Sequence, residues 1–182
     1  MKTLLMLADG FDEIEAFTII NVLKRSNVPV DAVGVIGSMI TSKSGIKIHV
    51  DKRLPQINPS EYTTIVLPGG PGYNILSKTA TINEIIKRFS QAGRNIAAIG
   101  ESVSILANLG LLEGKKATIT PGMEKLLDYP RDQPVVIVDN LITSQGPGTA
   151  LEFALAIVKK LKGDNEVLRL KKELAIHEKR EY

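Results

Sequence analysis

The sequence predicts an α/β fold built on a mainly parallel sheet with helices on both faces, and three observations carry that expectation. Short apolar runs such as Leu4-Leu5-Met6-Leu7 do not alternate with polar residues, as expected of strands buried on both sides. Segments with apolar residues at helical spacing separate these runs. A chain of 182 residues, 43% hydrophobic and 24% charged, is long enough for one domain with a sizeable core and short for two.

Taken in order, residues 4–7 read as a first strand. Residues 13–26 read as a helix, with Ile14, Phe17, Ile20, Asn21 and Leu23 at helical spacing. Residues 30–36 form a second strand, 46–50 a short alternating one and 62–67 a buried run that ends at Pro68-Gly69-Gly70-Pro71-Gly72. Ile82, Ile85, Ile86 and Phe89 mark a helix before the buried strand 96–99, and a short helix follows Gly100. A strand at 117–119 comes next, then strands at 135–138 and 141–143 joined by Asp139-Asn140, then a helix over 149–161. The tail, 164–182, reads as a charged amphipathic helix carrying Val167, Leu168, Leu170, Leu174 and Ile176. No repeat, low-complexity tract or Pro/Gly-rich linker divides the chain, so residues 1–182 are expected to form one domain.

Composition excludes several function classes. No apolar run approaches the ~18 residues of a transmembrane helix, and the apolar run before Asp9 is too short for a signal-peptide core, so no membrane association and a cytoplasmic location are expected. The absence of cysteine agrees with a reducing compartment and rules out disulfides, thiolate metal sites and a cysteine nucleophile together. A net charge of +3 comes from scattered lysines and arginines, and with four tyrosines and four phenylalanines for stacking it reads as a solvated basic surface, not a nucleic-acid footprint. No His or acid cluster has metal-ligand spacing, and no GxGxxG follows the first strand, so neither a metal nor a cofactor is expected.

In a parallel sheet ligands sit at the carboxyl ends of the strands, near a switch in strand order. Three loops qualify: residues 9–15 after the first strand, the Pro-Gly-Gly loop 68–72, and the turn Gly100-Glu101-Ser102. The last is a sharp strand-to-helix turn, where α/β enzymes often hold a nucleophile clear of the sheet. Ser102 is one candidate there, but neither His49, in an alternating strand, nor His177, in the charged tail, suits it as a base. Its hydroxyl is better placed to satisfy free N–H groups in the first helical turn. Glu101 either points to solvent at a helix start or joins a second carboxylate as an acid/base pair. The N–H groups of Gly69 and Gly70 form either a tight turn or donors for an oxyanion.

The stretches ADGFDEIEA, IVLPGGPG, the AAI strand with its turn, NLGLLEGKKATITPGME and ITSQGPGTALEFALAIV resemble the ThiJ/PfpI superfamily, in register from about residue 3 to residue 162. The resemblance implies a flavodoxin-like three-layer sandwich, a homodimer, glyoxalase, deglycase or peptidase-like activity, and a pocket for a small carbonyl compound or an anion. Its acid falls on Glu15 and its backbone donors on Gly69 and Gly70, with Glu101 and Ser102 beside them. The positions of its nucleophilic cysteine and its histidine hold Gly100 and Thr120, and an arginine common near the last motif is replaced by Gln145. Glyoxalase or deglycase chemistry needs a thiolate, and Gly100 supplies no attacking atom. A nucleophile on such an elbow is held in a strained backbone conformation that glycine adopts freely, so glycine relieves the strain where the thiol is no longer used. Two readings stand: a diverged small-molecule or partner-binding, stress-related protein without thiol chemistry, or a glyoxalase/deglycase-like or carboxylate-based enzyme acting on small carbonyl compounds in the same pocket.

Overall fold

The run Thr-Leu-Leu-Met-Leu forms β1 (Thr3–Leu7), buried at every position. The computed structural model describes residues 1–176. After β1 come α1 (Glu13–Arg25), β2 (Val30–Gly34), β3 (Met39–Thr41), β4 (Lys47–His49), β5 (Lys52–Arg53), β6 (Thr64–Leu67), α2 (Tyr73–Lys78) and α3 (Ala80–Gln91). The second half holds β7 (Asn95–Ile99), α4 (Val103–Asn108), β8 (Lys116–Ala117), β9 (Tyr129–Pro130), β10 (Val135–Val138), β11 (Leu141–Ser144), α5 (Ala150–Lys162) and α6 (Asp164–Glu173).

Seven strands form one sheet in the order β10-β11-β7-β6-β1-β2-β5, parallel throughout except for the β10–β11 hairpin. The period-two geometry of a strand divides the apolar residues between two cores. Leu4 and Met6 of β1, Ile65 and Leu67 of β6, and Ile96 and Ala98 of β7 pack with Ile82, Ile86 and Phe89 of α3. Leu5, Leu7, Val66, Ala97 and Ile99 pack with Ile19 and Leu23 of α1 and Phe153 and Ile157 of α5 on the other side. This is the expected flavodoxin-like α/β sandwich, with helices on both faces of a mostly parallel sheet.

Four details differ from the sequence expectation. The strands at 46–50 and 117–119 do not join the main sheet: β4 pairs antiparallel with β3, and β8 pairs with β9, each in a two-stranded sheet of its own. β2 stops at Gly34, two residues early, and Ile36 is exposed. In α1 the residues that face the core are Ala16, Ile19, Val22 and Leu23, whereas Ile14 is 56% exposed and Phe17 37% exposed. The apolar spacing read from the sequence combined two faces of that helix. Finally, the tail helix ends at Glu173: Leu174 caps it and Ala175 turns left-handed at φ +52°. Leu170 is buried, but Leu168 is 63% exposed. His177 and the rest of the expected tail helix lie outside the described residues.

Candidate functional site

The strand order reverses at β1, whose neighbours are β2 on one side and β6 on the other. The chain leaves those strands in opposite directions, opening a crevice at the carboxyl ends of β1 and β6. The two loops there are stitched together: the Asp12 N–H donates to the Gly69 carbonyl at 3.0 Å and the Gly72 N–H to the Gly10 carbonyl at 3.1 Å. β7 lies next to β6, so its turn at Gly100 reaches the same crevice.

Asp12 starts α1. Its carboxylate accepts the N–H groups of Ile14 at 2.9 Å and Glu15 at 3.2 Å, satisfying free donors of the first turn. Asp12 is itself buried and carries an ion pair with Lys43. Lys43 was missed, since nothing in the turn between β3 and β4 marks it as reaching this loop. Asp12→Ala is expected to lower stability by about 1–2 kcal/mol, measured by urea unfolding.

With the first turn fixed, Glu15 turns inward and is 1% exposed. Its Oε2 accepts the Gly69 N–H at 2.6 Å, while its Oε1 is buried and has no hydrogen-bond partner among the described residues. Burial pushes its pKa up to about 8, against the pull of the Gly69 N–H and Lys43, and the nearby Asp12 and Glu101 carboxylates add to the rise.

Glu101 does not point to solvent. Its Oε2 accepts the Gly70 N–H at 2.9 Å. A Cβ on Gly69 would lie 2.7 Å from Glu101 Oε2 and 3.0 Å from Glu15 Oε2, so the two carboxyl groups bracket that glycine. The two backbone donors of the Pro-Gly-Gly loop are therefore each occupied by a side chain of the same chain.

Gly100 has φ +64°, in the left-handed region that penalises a β-carbon. A Cβ built there would stand 3.0 Å from Glu15 Oε1, so the partnerless oxygen faces the Cβ side of Gly100. Ser102 is buried, and its hydroxyl donates to the Pro68 carbonyl at 2.5 Å. It ties the β7 turn to the β6 loop and does not cap the helix N–H groups as expected.

The structure thus brings together Glu15, Gly69, Gly70, Gly100, Glu101 and Ser102, from three loops. Thr120 is not joined to them by any hydrogen bond among the described residues; its carbonyl accepts the Met123 N–H at 3.2 Å in the turn after β8. Gln145 follows Ser144, which pairs with Ile99, so it emerges level with Gly100 and bonds Asp132 at 3.0 Å. His49 sits exposed on the β3–β4 hairpin. Among the described residues no group of three or more His, Cys, Asp or Glu is placed to hold a metal ion, and no helix is long and apolar enough to cross a membrane.

A flavodoxin-like sandwich with an acid and a Pro-Gly-Gly loop at the switch point, and a left-handed glycine elbow on the neighbouring strand, defines a class of α/β protein. The chain belongs to the DJ-1/PfpI family, whose profile matches residues 1–160. It is 34% identical over 181 residues to protein dj-1beta of Drosophila melanogaster, covering 96% of this chain and 97% of that one. A crystal structure of Drosophila melanogaster DJ-1beta superposes with a TM-score of 0.91 at 33% identity, covering 97% of this chain and 98% of that one. The protein DJ-1 homolog B of Arabidopsis thaliana is 41% identical over 177 residues, which are 94% of this chain but 40% of that longer relative. A Caenorhabditis elegans relative, glutathione-independent glyoxalase DJR-1.2, is 32% identical over 180 residues, 95% of each chain.

Proposed function

We propose that this protein works without thiol chemistry, as a cytoplasmic binding protein for a small carbonyl compound or anion in the pocket of Glu15, Gly69, Gly70 and Gly100. One observation carries the reading: where a nucleophile would stand there is a glycine, and the Gly69 and Gly70 N–H donors hold the carboxyl groups of Glu15 and Glu101. With glycine at the elbow, no side-chain atom there can attack a carbonyl carbon. Turnover of methylglyoxal by the protein as it stands is expected to be undetectable, and clear turnover overturns the proposal.

A second reading, a carboxylate-based enzyme acting on small carbonyl compounds, is favoured by Glu15 Oε1, which is buried without a partner and keeps its proton near neutral pH. The glyoxalase name of the Caenorhabditis elegans relative is consistent with that substrate class. The two readings separate in the Glu15→Gln variant: it abolishes any turnover the second reading supplies and leaves the binding reading without an activity to lose.

Gly100→Cys is expected to fold with a loss of about 1–3 kcal/mol, because a β-carbon is forced to positive φ. Its thiol is expected to be reactive, since the Glu15 Oε1 beside it is protonated below about pH 8 and can donate to a thiolate instead of repelling it. Alkylation rate against pH measures this. Methylglyoxal turnover is expected in Gly100→Cys or, failing that, in Gly100→Cys combined with Thr120→His.

The assembly we propose is a homodimer, supported by the exposed apolar residues Ile14 and Phe17 on α1 and Met39 and Ile46 on the neighbouring hairpin. Light scattering at micromolar concentration is expected to give twice the chain mass.

A further inference from the structure

Gln145 also lines a cavity of about 480 Å³. Three separate strands build it. The Arg131 N–H donates to the Ala117 carbonyl at 2.8 Å, extending the β8–β9 register and setting Pro130 and Arg131 alongside Ile119. The Thr118 N–H donates to Thr143 Oγ1 at 3.1 Å, which fastens this small sheet to β11, and β11 delivers Gln145 to the same wall. Backbone pairing of the β8 and β9 segments and the Thr143 hydroxyl hold these walls together.

Its chemistry is mixed in an informative way. Ile119, buried, and Pro121 and Pro130, both exposed, supply its apolar lining. The Arg131 guanidinium bonds only the Pro130 carbonyl, at 3.0 Å, and among the described residues no carboxylate pairs with it. Next to it, Asp132 accepts Gln145 Nε2 on Oδ1 at 3.0 Å and leaves Oδ2 without a hydrogen bond among the described residues. Glu124, also on the wall, is turned back on its own loop: both its oxygens accept the Gly122 N–H at 3.0 Å, which holds its pKa below the usual carboxylate range. A simple anion would meet two carboxylates here, and a simple cation would meet Arg131. A molecule carrying both charges close together meets an unpaired partner for each.

We propose that this cavity binds a small zwitterion, an α-amino acid with an aliphatic side chain: its carboxylate on Arg131, its ammonium on Asp132 and its side chain on Ile119, Pro121 and Pro130. The volume lies within the range of small-molecule sites, and a few convergent polar groups over an apolar lining are their usual composition. Because the charged partners are reached by solvent, affinity is expected in the roughly millimolar range. None of the cavity's lining residues is among Glu15, Gly69, Gly70, Gly100 and Glu101, so the proposal does not rest on the function proposed for that pocket.

The test is an amide NMR titration of the full chain with three probes of matched shape: L-leucine, isovalerate, which lacks the ammonium, and isopentylamine, which lacks the carboxylate. L-leucine is expected to shift the amides of Ile119, Arg131, Asp132 and Gln145 saturably, with each half-ligand about ten-fold weaker or more. Arg131→Gln is expected to weaken L-leucine about ten-fold while leaving the Gly69 and Gly70 amides unshifted. No saturable shift with L-leucine, equal binding by isovalerate or isopentylamine, or unchanged binding in Arg131→Gln each overturns the proposal. The probe comparison on the parent protein decides the matter even where the variant fails to fold.

Discussion

Folding stability is expected to fall by about 1.4 kcal/mol per pH unit between about pH 5 and about pH 8, and this fall is expected to disappear in Glu15→Gln. The cause is the Glu15 carboxyl, whose pKa is pushed from 4.5 up to about 8 in the folded chain. Below the unfolded value both states hold the proton, and the group is neutral in its buried position at no electrostatic cost. Between the two values the folded state binds a proton that the unfolded state has released, so unfolding releases a proton and rising pH favours it. Above the folded value both states are ionised and the slope vanishes. Over about three pH units the accumulated loss is on the order of 4 kcal/mol. Asp31, held down to about 2 by Lys2, Tyr62 and Lys52 despite its partial burial, titrates far below this window and adds no slope to it. Glutamine keeps an oxygen for the Gly69 N–H but carries no proton to lose. Urea midpoints for parent and variant should therefore coincide near pH 5 and separate steadily towards pH 8, with the variant the more stable. Parallel curves would place the proton elsewhere.

Gly70→Ala is expected to lower stability by about 3–5 kcal/mol, combining the strain of a positive φ with an overpacked backbone contact. Gly70 has φ +82°, and a Cβ there would lie 2.6 Å from the Gly10 carbonyl oxygen and 2.7 Å from the Asp12 nitrogen. Both are backbone atoms of the loop between β1 and α1, held in place by the Asp12–Gly69 and Gly72–Gly10 hydrogen bonds. Neither can swing aside as the end of a flexible side chain would. Gly93→Ala is the control: φ is +63° there, but nothing lies within 4 Å of the added carbon. It is expected to cost about 1 kcal/mol, so the difference between the two midpoints measures the clash separately from the strain.

How much of this was legible in the sequence depended on whether a feature was local. The buried strands at 4–7, 62–67 and 96–99 and the helix carrying Ile82, Ile85, Ile86 and Phe89 could be read because burial on both faces, or on one helical face, leaves its period in the chain. The left-handed glycine at the β7 elbow was legible too, since a tight strand-to-helix turn asks for it. The inward face of α1 was not, because Ile14 and Phe17 are as apolar as Ile19 and Leu23 and only the partner surface tells them apart. Nor could the sequence show that β4 and β8 lie outside the main sheet, since a short strand carries no mark of its neighbour. The contacts that define the site, Glu15 to Gly69, Glu101 to Gly70 and Ser102 to Pro68, join residues 31 to 54 positions apart and exist only once parallel pairing has set β1, β6 and β7 side by side.

Glu101 is tethered one residue from the elbow, and its carboxylate rests on the Gly70 N–H. An incoming anion or carbonyl compound therefore meets a resident competitor whose effective concentration is fixed by the fold and cannot be diluted. The measured dissociation constant of any such molecule is its intrinsic value divided by the fraction of time Glu101 stands aside. On the proposed function, occupancy of this pocket depends on how readily one glutamate side chain leaves as well as on fit, and shortening that side chain is expected to tighten each ligand that must displace it.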